Sequence, residues 1–136
     1  MFCSVVCGDD KMNINKEYAP VILRIGISLT FLWFGLTQIF NPASLSVYLP
    51  NFVYSLSVDP LTFVRINGIF EAILGLFLLV GYHTRLSSFI LGIHLLIISF
   101  GLGYNDIAVR DVGLVFAIFA IFFYGNDRWC YDWEKK

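Results

Sequence analysis

Charged residues are scarce in this chain. Asp, Glu, Lys and Arg make up 14% of its 136 residues, and hydrophobic residues make up 58%. A soluble domain usually carries about 25% charged and about 45–50% apolar residues. The mean hydropathy is +0.76, and the few charges collect mostly near the ends of the chain. The deficit excludes an ordinary water-soluble core and is typical of a polytopic membrane protein, while a net charge of −1 gives no indication of nucleic-acid binding.

Four apolar segments contain very few charged residues. These four segments define the predicted fold. Each is close to the ~20 residues that a helix needs to cross a bilayer. No alternation of polar and apolar residues persists, so strands are not expected. We predict an all-α, integral membrane four-helix bundle with up-down topology. The segments are Tyr18–Phe40, Leu61–Tyr82, Leu86–Leu102 and Val109–Tyr124.

The basic residues predict how the bundle is oriented. An even number of spans places both termini and the turn at Arg85 on one side, and that side carries seven of the nine Lys and Arg residues. Because Lys and Arg favour the cytoplasm, we predict a multi-pass protein of the plasma membrane with cytoplasmic tails at 1–17 and 126–136 around a domain at 18–125. Cys3 and Cys130 should then resist an impermeant thiol reagent added to intact cells.

Cysteine and histidine are also few, which limits metal and thiol chemistry. Cys3 and Cys7 are separated by three residues rather than two, and Cys130 stands alone. The two histidines fall on different elements without companion ligands. We predict no metal site, no nucleotide cofactor and, on the cytoplasmic side, no stable disulfide.

Proline is confined mainly to one connection, residues 41–60, which holds three of the four prolines. This segment is rich in aromatic and aliphatic residues. We predict that it lies against the outer membrane surface and caps the bundle near Arg110 and Asp111, with contacts from Tyr48, Phe52 and Tyr54.

Polar residues inside the spans are the candidates for function. Glu71 lies about eleven residues, or ~16 Å, from the cytoplasmic end of its own helix, too deep to reach water along its own side chain. A charge at such depth costs roughly 2.5–3.5 kcal/mol on insertion scales, so Glu71 needs a proton or a partner. We predict that the Glu71 side chain faces the bundle interior and is bonded or ion-paired there. Arg24 and Asn67 are the first two candidates for its partner, and His94 is the third.

Two interpretations of these residues stay open. Glu71 and Arg24 can form a catalytic pair, with Asn67, His94, Gln38, Arg110 and Asp111 binding a ligand. Alternatively, the same groups only hold helices together through hydrogen bonds and ion pairs. Small residues support close packing in either case. We expect them to line the contact face of the second span at Gly68, Ala72 and Gly75, and of the fourth span at Gly113, Ala117, Ala120 and Tyr124.

Several motifs in fixed order resemble the DoxX/DoxD-like family of small membrane proteins, over about Pro20 to Tyr124. They comprise an early Arg in the first span, a Trp and a Gly before a polar residue, G-x-x-E followed by G-x-x-L-L-x-G, a turn Arg, and an R-D pair opening the fourth span. The family often has Lys where this chain has Gln38. The residues that carry the resemblance are Arg24, Trp33, Gly35, Gln38, Gly68, Glu71, Gly75, Gly81, Arg85, Arg110 and Asp111.

The resemblance implies a four-helix membrane bundle associated with redox processes, since DoxD-type members are subunits of a thiosulfate:quinone oxidoreductase and some DoxX members work with thiol-stress proteins. Three functions follow: a subunit of a quinone-linked oxidoreductase, a non-catalytic scaffold or assembly subunit, or a small proton-coupled transporter. A transporter is the least favoured because repeated broken helices are missing. The expected partners are the lipid bilayer, a soluble or membrane redox protein, and further copies of the chain. Any electron transfer is expected to use a quinone or a cofactor of the partner.

Overall fold

Helices account for most of the computed structural model, which describes residues 11–46, 49, 51–55, 57–103, 106–127 and 129–131. No strand occurs within these ranges. The helices are α1 (Lys11–Phe40), α2 (Ala43–Ser46), a 3₁₀ helix (Asn51–Ser55), α3 (Pro60–Val80), α4 (Thr84–Leu102) and α5 (Asp106–Tyr124). Four of the described helices are long and apolar enough to cross a membrane, which confirms the all-α fold with four spans.

The ends of α3 show why its sequence starts and stops a helix there. Asp59 accepts a hydrogen bond from the Thr62 backbone N–H at 3.1 Å, and Pro60 occupies the first turn, where its missing N–H is harmless. At the other end Gly81 adopts φ 78°, a left-handed conformation that glycine takes without strain. The Gly81 and Tyr82 N–H groups both donate to the carbonyl of Phe77. This turn reverses the chain into α4.

The four spans form two close pairs, α1 with α3 and α4 with α5, and the pairs then pack on each other. The tightest approach joins Gly35 to Gly68. A Cβ at Gly35 would lie 2.8 Å from the Gly68 carbonyl oxygen, and one at Gly68 would lie 2.6 Å from Cβ of Gln38. Only glycine allows this approach, as expected for Gly68. The outer surface carries large apolar side chains such as Phe40 and Phe100, both 82% exposed, as lipid contact requires.

The fourth span corrects one prediction. The small residues Gly113 and Ala120 are exposed, and a Cβ at Gly113 would meet nothing within 4 Å. Larger residues fill the buried face instead, because branched side chains fill the space between α4 and α5 better than alanine does. That face consists of Ala108, Asp111, Val115, Ile118 and Ile121.

The two ends of the bundle differ. We call the end that holds residues 41–59 the loop end, and the end that holds residues 81–83 and 125–131 the terminal end. Val53 is fully buried and Tyr54 is 59% exposed. Tyr48 and the side chain of Phe52 lie outside the described residues. Among the described residues of this segment, Leu49 lines the same cavity as Arg110 and Asp111, the place where the covering was predicted.

Candidate functional site

Glu71 points into the bundle and is bound by amide side chains. Its side chain is 5% exposed, and its carboxylate accepts hydrogen bonds from Nε2 of Gln38 at 2.7 Å and Nδ2 of Asn67 at 3.0 Å. Asn67 Nδ2 also donates to Oε1 of Gln38 at 2.7 Å. The three side chains form one network between α1 and α3, just beside the Gly35–Gly68 contact. The prediction that Glu71 faces inward beside Asn67 is confirmed.

His94 brings a second titratable group to the carboxylate. Its Nε2 lies 3.4 Å from Oε1 of Glu71. The geometry does not make a hydrogen bond, and Nε2 is the one buried side-chain nitrogen or oxygen of the described residues without a hydrogen-bond partner. The ring packs edge-on against Phe70, with centroids 5.0 Å apart. A ring nitrogen must donate or accept according to its tautomer, so this atom is available to a ligand or a proton.

Arg110 and Asp111 form a charged pair nearer the loop end. Nε and Nη2 of Arg110 lie 3.1 and 3.0 Å from Oδ1 of Asp111. The guanidinium also sits over the ring of Phe34, 5.2 Å from its centroid, a cation–π contact between α5 and α1. The Asp111 side chain is 8% exposed and that of Arg110 is 53% exposed. The pair thus joins the interior to the surface.

A cavity of about 440 Å³ connects these groups. Cavities of ~300–1,000 Å³ are the usual size for small-molecule sites, which are mostly apolar with a few convergent polar groups. The walls here are largely aliphatic and aromatic, with contributions from all four spans and from Leu49. Six of the seven residues predicted for the site line this cavity: Gln38, Asn67, Glu71, His94, Arg110 and Asp111.

Arg24 is the seventh predicted residue, and the structure places it elsewhere. Its Nε donates to Oδ2 of Asp127 at 2.8 Å, and its Nη2 donates to Oδ1 of Asp127 and to the carbonyl of Trp129, both at 3.3 Å. Its Nη1 donates to the carbonyls of Leu78 and Leu79 at 2.7 and 2.6 Å. The predicted pairing of Arg24 with Glu71 is therefore wrong.

The antiparallel register of α1 and α3 explains this outcome. Residue 24 lies level with residues 78 and 79, seven or eight positions beyond Glu71, which corresponds to roughly 10–12 Å along the helix. At that level Arg24 meets the last carbonyls of α3, which lack partners within the helix and attract a cation. A guanidinium has five N–H donors, and here each has an acceptor. Arg24 has no donor left for a ligand.

Asp127 is the residue that sequence reasoning missed. It was assigned to the C-terminal tail, yet it is 4% exposed and it holds Arg24, the Trp129 backbone N–H and the Cys130 thiol. Its carboxylate bonds the N–H two residues ahead, a turn that Asp commonly forms. The first acidic residue after the last span, matched with an interior arginine, was the available sequence signal.

Cys130 closes the terminal end beneath this carboxylate. It is 3% exposed, its sulfur lies 3.2 Å from Oγ1 of Thr84, and it packs against Gly81, where a Cβ would come within 2.6 Å of its Cα. Burial raises the pKa of the Cys130 thiol above its ordinary value, although the bonds from Thr84 and Asp127 and the charge of Arg24 oppose the shift. Such a thiol is a poor nucleophile at neutral pH.

Comparison with protein families decides the relationship that the motifs suggested. The DoxX family model matches residues 19–103, more than half of the chain. The chain belongs to the DoxX family. The match spans α1 through α4 and so includes Arg24, Gln38, Asn67, Glu71 and His94 of this DoxX protein. Comparison with curated proteins and with solved structures gave no match.

Proposed function

We propose that this DoxX protein is the membrane subunit of a quinone-linked redox system, and that its cavity holds the quinone headgroup. The observation that carries the proposal is the placement of Glu71 and His94 together on the largely apolar wall of a cavity of about 440 Å³. A quinone is a small apolar ring with oxygen atoms that accept hydrogen bonds. Such a ligand matches apolar walls with a few polar groups.

Each polar residue of the cavity has a role in this proposal. A quinone takes up two electrons and two protons when it becomes a quinol, so its site needs groups that hold protons. Glu71 and His94 are those groups, 3.4 Å apart. Gln38 and Asn67 fix the carboxylate through bonds of 2.7 and 3.0 Å and so act as positioning residues. Arg110 stands at the exposed side of the cavity and can donate to a ligand oxygen.

The electrons come from outside the chain in this proposal. The family resemblance favours a reduced sulfur donor, either a thiol or thiosulfate, bound by a soluble or membrane partner. We further propose that the protein lies in the plasma membrane with both termini in the cytoplasm, because seven of nine Lys and Arg residues fall on that side of the four spans.

Binding of a short-chain, water-soluble quinone to the purified protein tests the proposal by isothermal titration calorimetry. Wild-type protein should bind it saturably, and His94→Asn should weaken binding about tenfold through loss of one hydrogen bond. The matched control is His83→Asn. His83 lies in the turn before α4 with φ 47°, a conformation that asparagine tolerates. Absence of saturable binding to wild-type protein, or equal loss in both variants, would contradict the proposal.

A scaffold function is the second candidate, and one observation favours it. The Gln38–Asn67–Glu71 network bridges α1 and α3 at their closest approach, so it stabilises that helix pair whether or not a ligand binds. On a scaffold, Glu71→Gln would lower thermal stability and quinone would not bind. In a quinone site, Glu71→Gln would leave binding within a few fold and abolish proton-coupled turnover.

A further inference from the structure

The cavity ends at a layer of apolar side chains. All four spans contribute to this layer, which lies between the cavity and the terminal end. Three of its members, Leu78, Leu91 and Ile118, are fully buried. Apolar packing of this kind excludes water. We call these residues the apolar layer: Ile27, Leu78, Leu91, Ile118 and Ile121.

Beyond the apolar layer, the buried polar groups are already bound to one another. The five donors of Arg24 are taken by Asp127 and by backbone carbonyls. Ser28, which lies at the level of the apolar layer, donates to the carbonyl of Arg24 at 2.6 Å, and Ser88 donates to the carbonyl of Thr84 at 2.7 Å. These hydroxyls satisfy their own helices. They do not extend the cavity toward the terminal end.

At the loop end, by contrast, the cavity wall includes a charged side chain that is exposed. Arg110 lines the cavity with a side chain that is 53% exposed. Leu49 covers the same end without being fully buried. Among the described residues, the charged and exposed part of the cavity wall is therefore at the loop end.

We propose that the cavity exchanges protons and polar solutes only with the compartment at the loop end. A consequence for the redox reaction rests on the proposed function. Reduction of one quinone consumes two electrons and two protons, and both protons are drawn from the compartment at the loop end. The groups that face Glu71 across the cavity are His94 from α4 and the Arg110–Asp111 pair from α5, while α1 and α3 contribute the uncharged Gln38 and Asn67. Asp111 lies between Glu71 and the loop end, so its carboxylate is the group through which a proton passes, while the guanidinium of Arg110 stays charged and donates to it.

The two electrons have a balanced source in thiols. Oxidation of two thiols to a disulfide releases two electrons and two protons at the partner, and the quinone takes up two electrons and two protons at the cavity. Because the cavity exchanges polar solutes only with the loop end, the thiols of the partner meet the quinone from that compartment. The apolar layer keeps both half-reactions on that side of the membrane.

Cysteine labelling in intact cells tests the sidedness without any quinone. In a background with Cys3, Cys7 and Cys130 changed to serine, Leu114→Cys and Ile98→Cys place a thiol on the cavity wall. Ser57→Cys marks the loop end, and Tyr82→Cys marks the terminal end, both being exposed. A charged, impermeant thiol reagent is added outside the cells.

The cavity cysteines should react whenever Ser57→Cys reacts and stay unlabelled whenever only Tyr82→Cys reacts. This comparison does not depend on which end faces outward. Labelling of the cavity cysteines together with Tyr82→Cys would overturn the proposal. Failure of the cavity cysteines to react while both markers report their own sides, in cells and in inverted vesicles, would overturn it as well.

Opening the apolar layer gives an independent check. Ile118→Ser should make Leu114→Cys reactive toward reagent added at the terminal end. The control is Phe116→Ser, at a position on the same helix that is 73% exposed. With this change, Leu114→Cys should still react only with reagent added at the loop end. If Ile118→Ser fails to fold, the labelling of Leu114→Cys and Ile98→Cys without this change still decides which end the cavity opens to.

A final arm separates this inference from the proposed function. Binding of the short-chain quinone is measured by calorimetry on the same purified protein. Absence of saturable binding, with labelling still confined to the loop end, would reject the quinone function alone. Labelling from the terminal end would reject the sidedness whatever the quinone does.

Discussion

Hydrogen-bond capacity separates the two buried charged residues that the sequence singled out. Arg24 has five donors and five acceptors within the protein, so it is complete as a structural element. Glu71 accepts two amide bonds and still has a neighbouring His94 nitrogen without a partner. A carboxylate has about four acceptor positions, which leaves capacity for a ligand. The geometry therefore leaves capacity for a ligand at Glu71 and none at Arg24.

Double-mutant cycles should reproduce this division. Gln38→Ala and Glu71→Ala should couple by about 0.5–3 kcal/mol in the free energy of unfolding, since their side chains share a 2.7 Å hydrogen bond. Arg24→Ala and Glu71→Ala should be additive within about 0.5 kcal/mol, because residues more than ~7–10 Å apart without shared partners act independently. Unfolding in detergent measures both cycles. A large coupling between Arg24 and Glu71 would show that the register of α1 and α3 is different.

Sequence reasoning located the interior polar residues but not all their partners. The spacing of Asn67 and Glu71 on one helix face predicted their contact because helix geometry alone fixes it. The partner of Arg24 depends on the register between α1 and α3 and on how residues 125–131 fold back, and neither is encoded in local periodicity. Depth along a helix was therefore a poor guide to which charge meets which.

At the scale of whole helices, close packing is set by where glycine lies relative to a neighbour. Gly35 and Gly68 meet at the α1–α3 contact, whereas Gly26 and Gly113 face open space. The sequence analysis treated small residues on the second and fourth spans alike, and only the second bears them at its contact. In a helix that is apolar all round, composition does not say which face is buried. The span limits were easier to predict, since length and hydropathy define them.

Alanine substitutions within α1 and α3 should expose this difference. Gly68→Ala should destabilise the protein by about 1–3 kcal/mol because its Cβ would come within 2.6 Å of Cβ of Gln38 and force the helices apart. Gly26→Ala should be neutral or stabilising, since nothing lies within 4 Å of its Cβ and alanine favours a helix. Thermal unfolding in detergent compares the two. Equal destabilisation by both changes would argue against the close α1–α3 contact.

The whole molecule contains two polar centres at opposite ends of an apolar core. Gln38, Asn67, Glu71, His94 and the Arg110–Asp111 pair form the open centre toward the loop end. Arg24 and Asp127 form the closed centre at the terminal end, where Cys130 is buried. The membrane-spanning class followed directly from composition, whereas the separation into two centres needed the three-dimensional packing. Because Cys130 is buried, its resistance to thiol reagents would not report the orientation of the chain, and the exposed position 57 is the better reporter.

The raised pKa of Cys130 predicts a pH dependence of stability. The protonated thiol is favoured in the folded protein, so its contribution is complete below the ordinary thiol pKa of 9.0 and is lost as pH rises through the higher folded value. Wild-type protein should therefore lose thermal stability above pH 9 more steeply than Cys130→Ser, which does not ionise there. Parallel curves for the two proteins would show that the thiol does not titrate with folding.

Photoaffinity labelling tests most directly the central claim that the cavity is a ligand site. A short-chain quinone carrying an azido group is bound to the protein in lipid nanodiscs, irradiated, and mapped by mass spectrometry of the peptides. Labels should fall on the cavity walls, at Phe34, Ile98 and Leu114, and be displaced by excess unlabelled quinone. Labels confined to the lipid-facing side chains Phe116 and Phe123, or labels that excess quinone does not displace, would contradict a quinone site in this cavity.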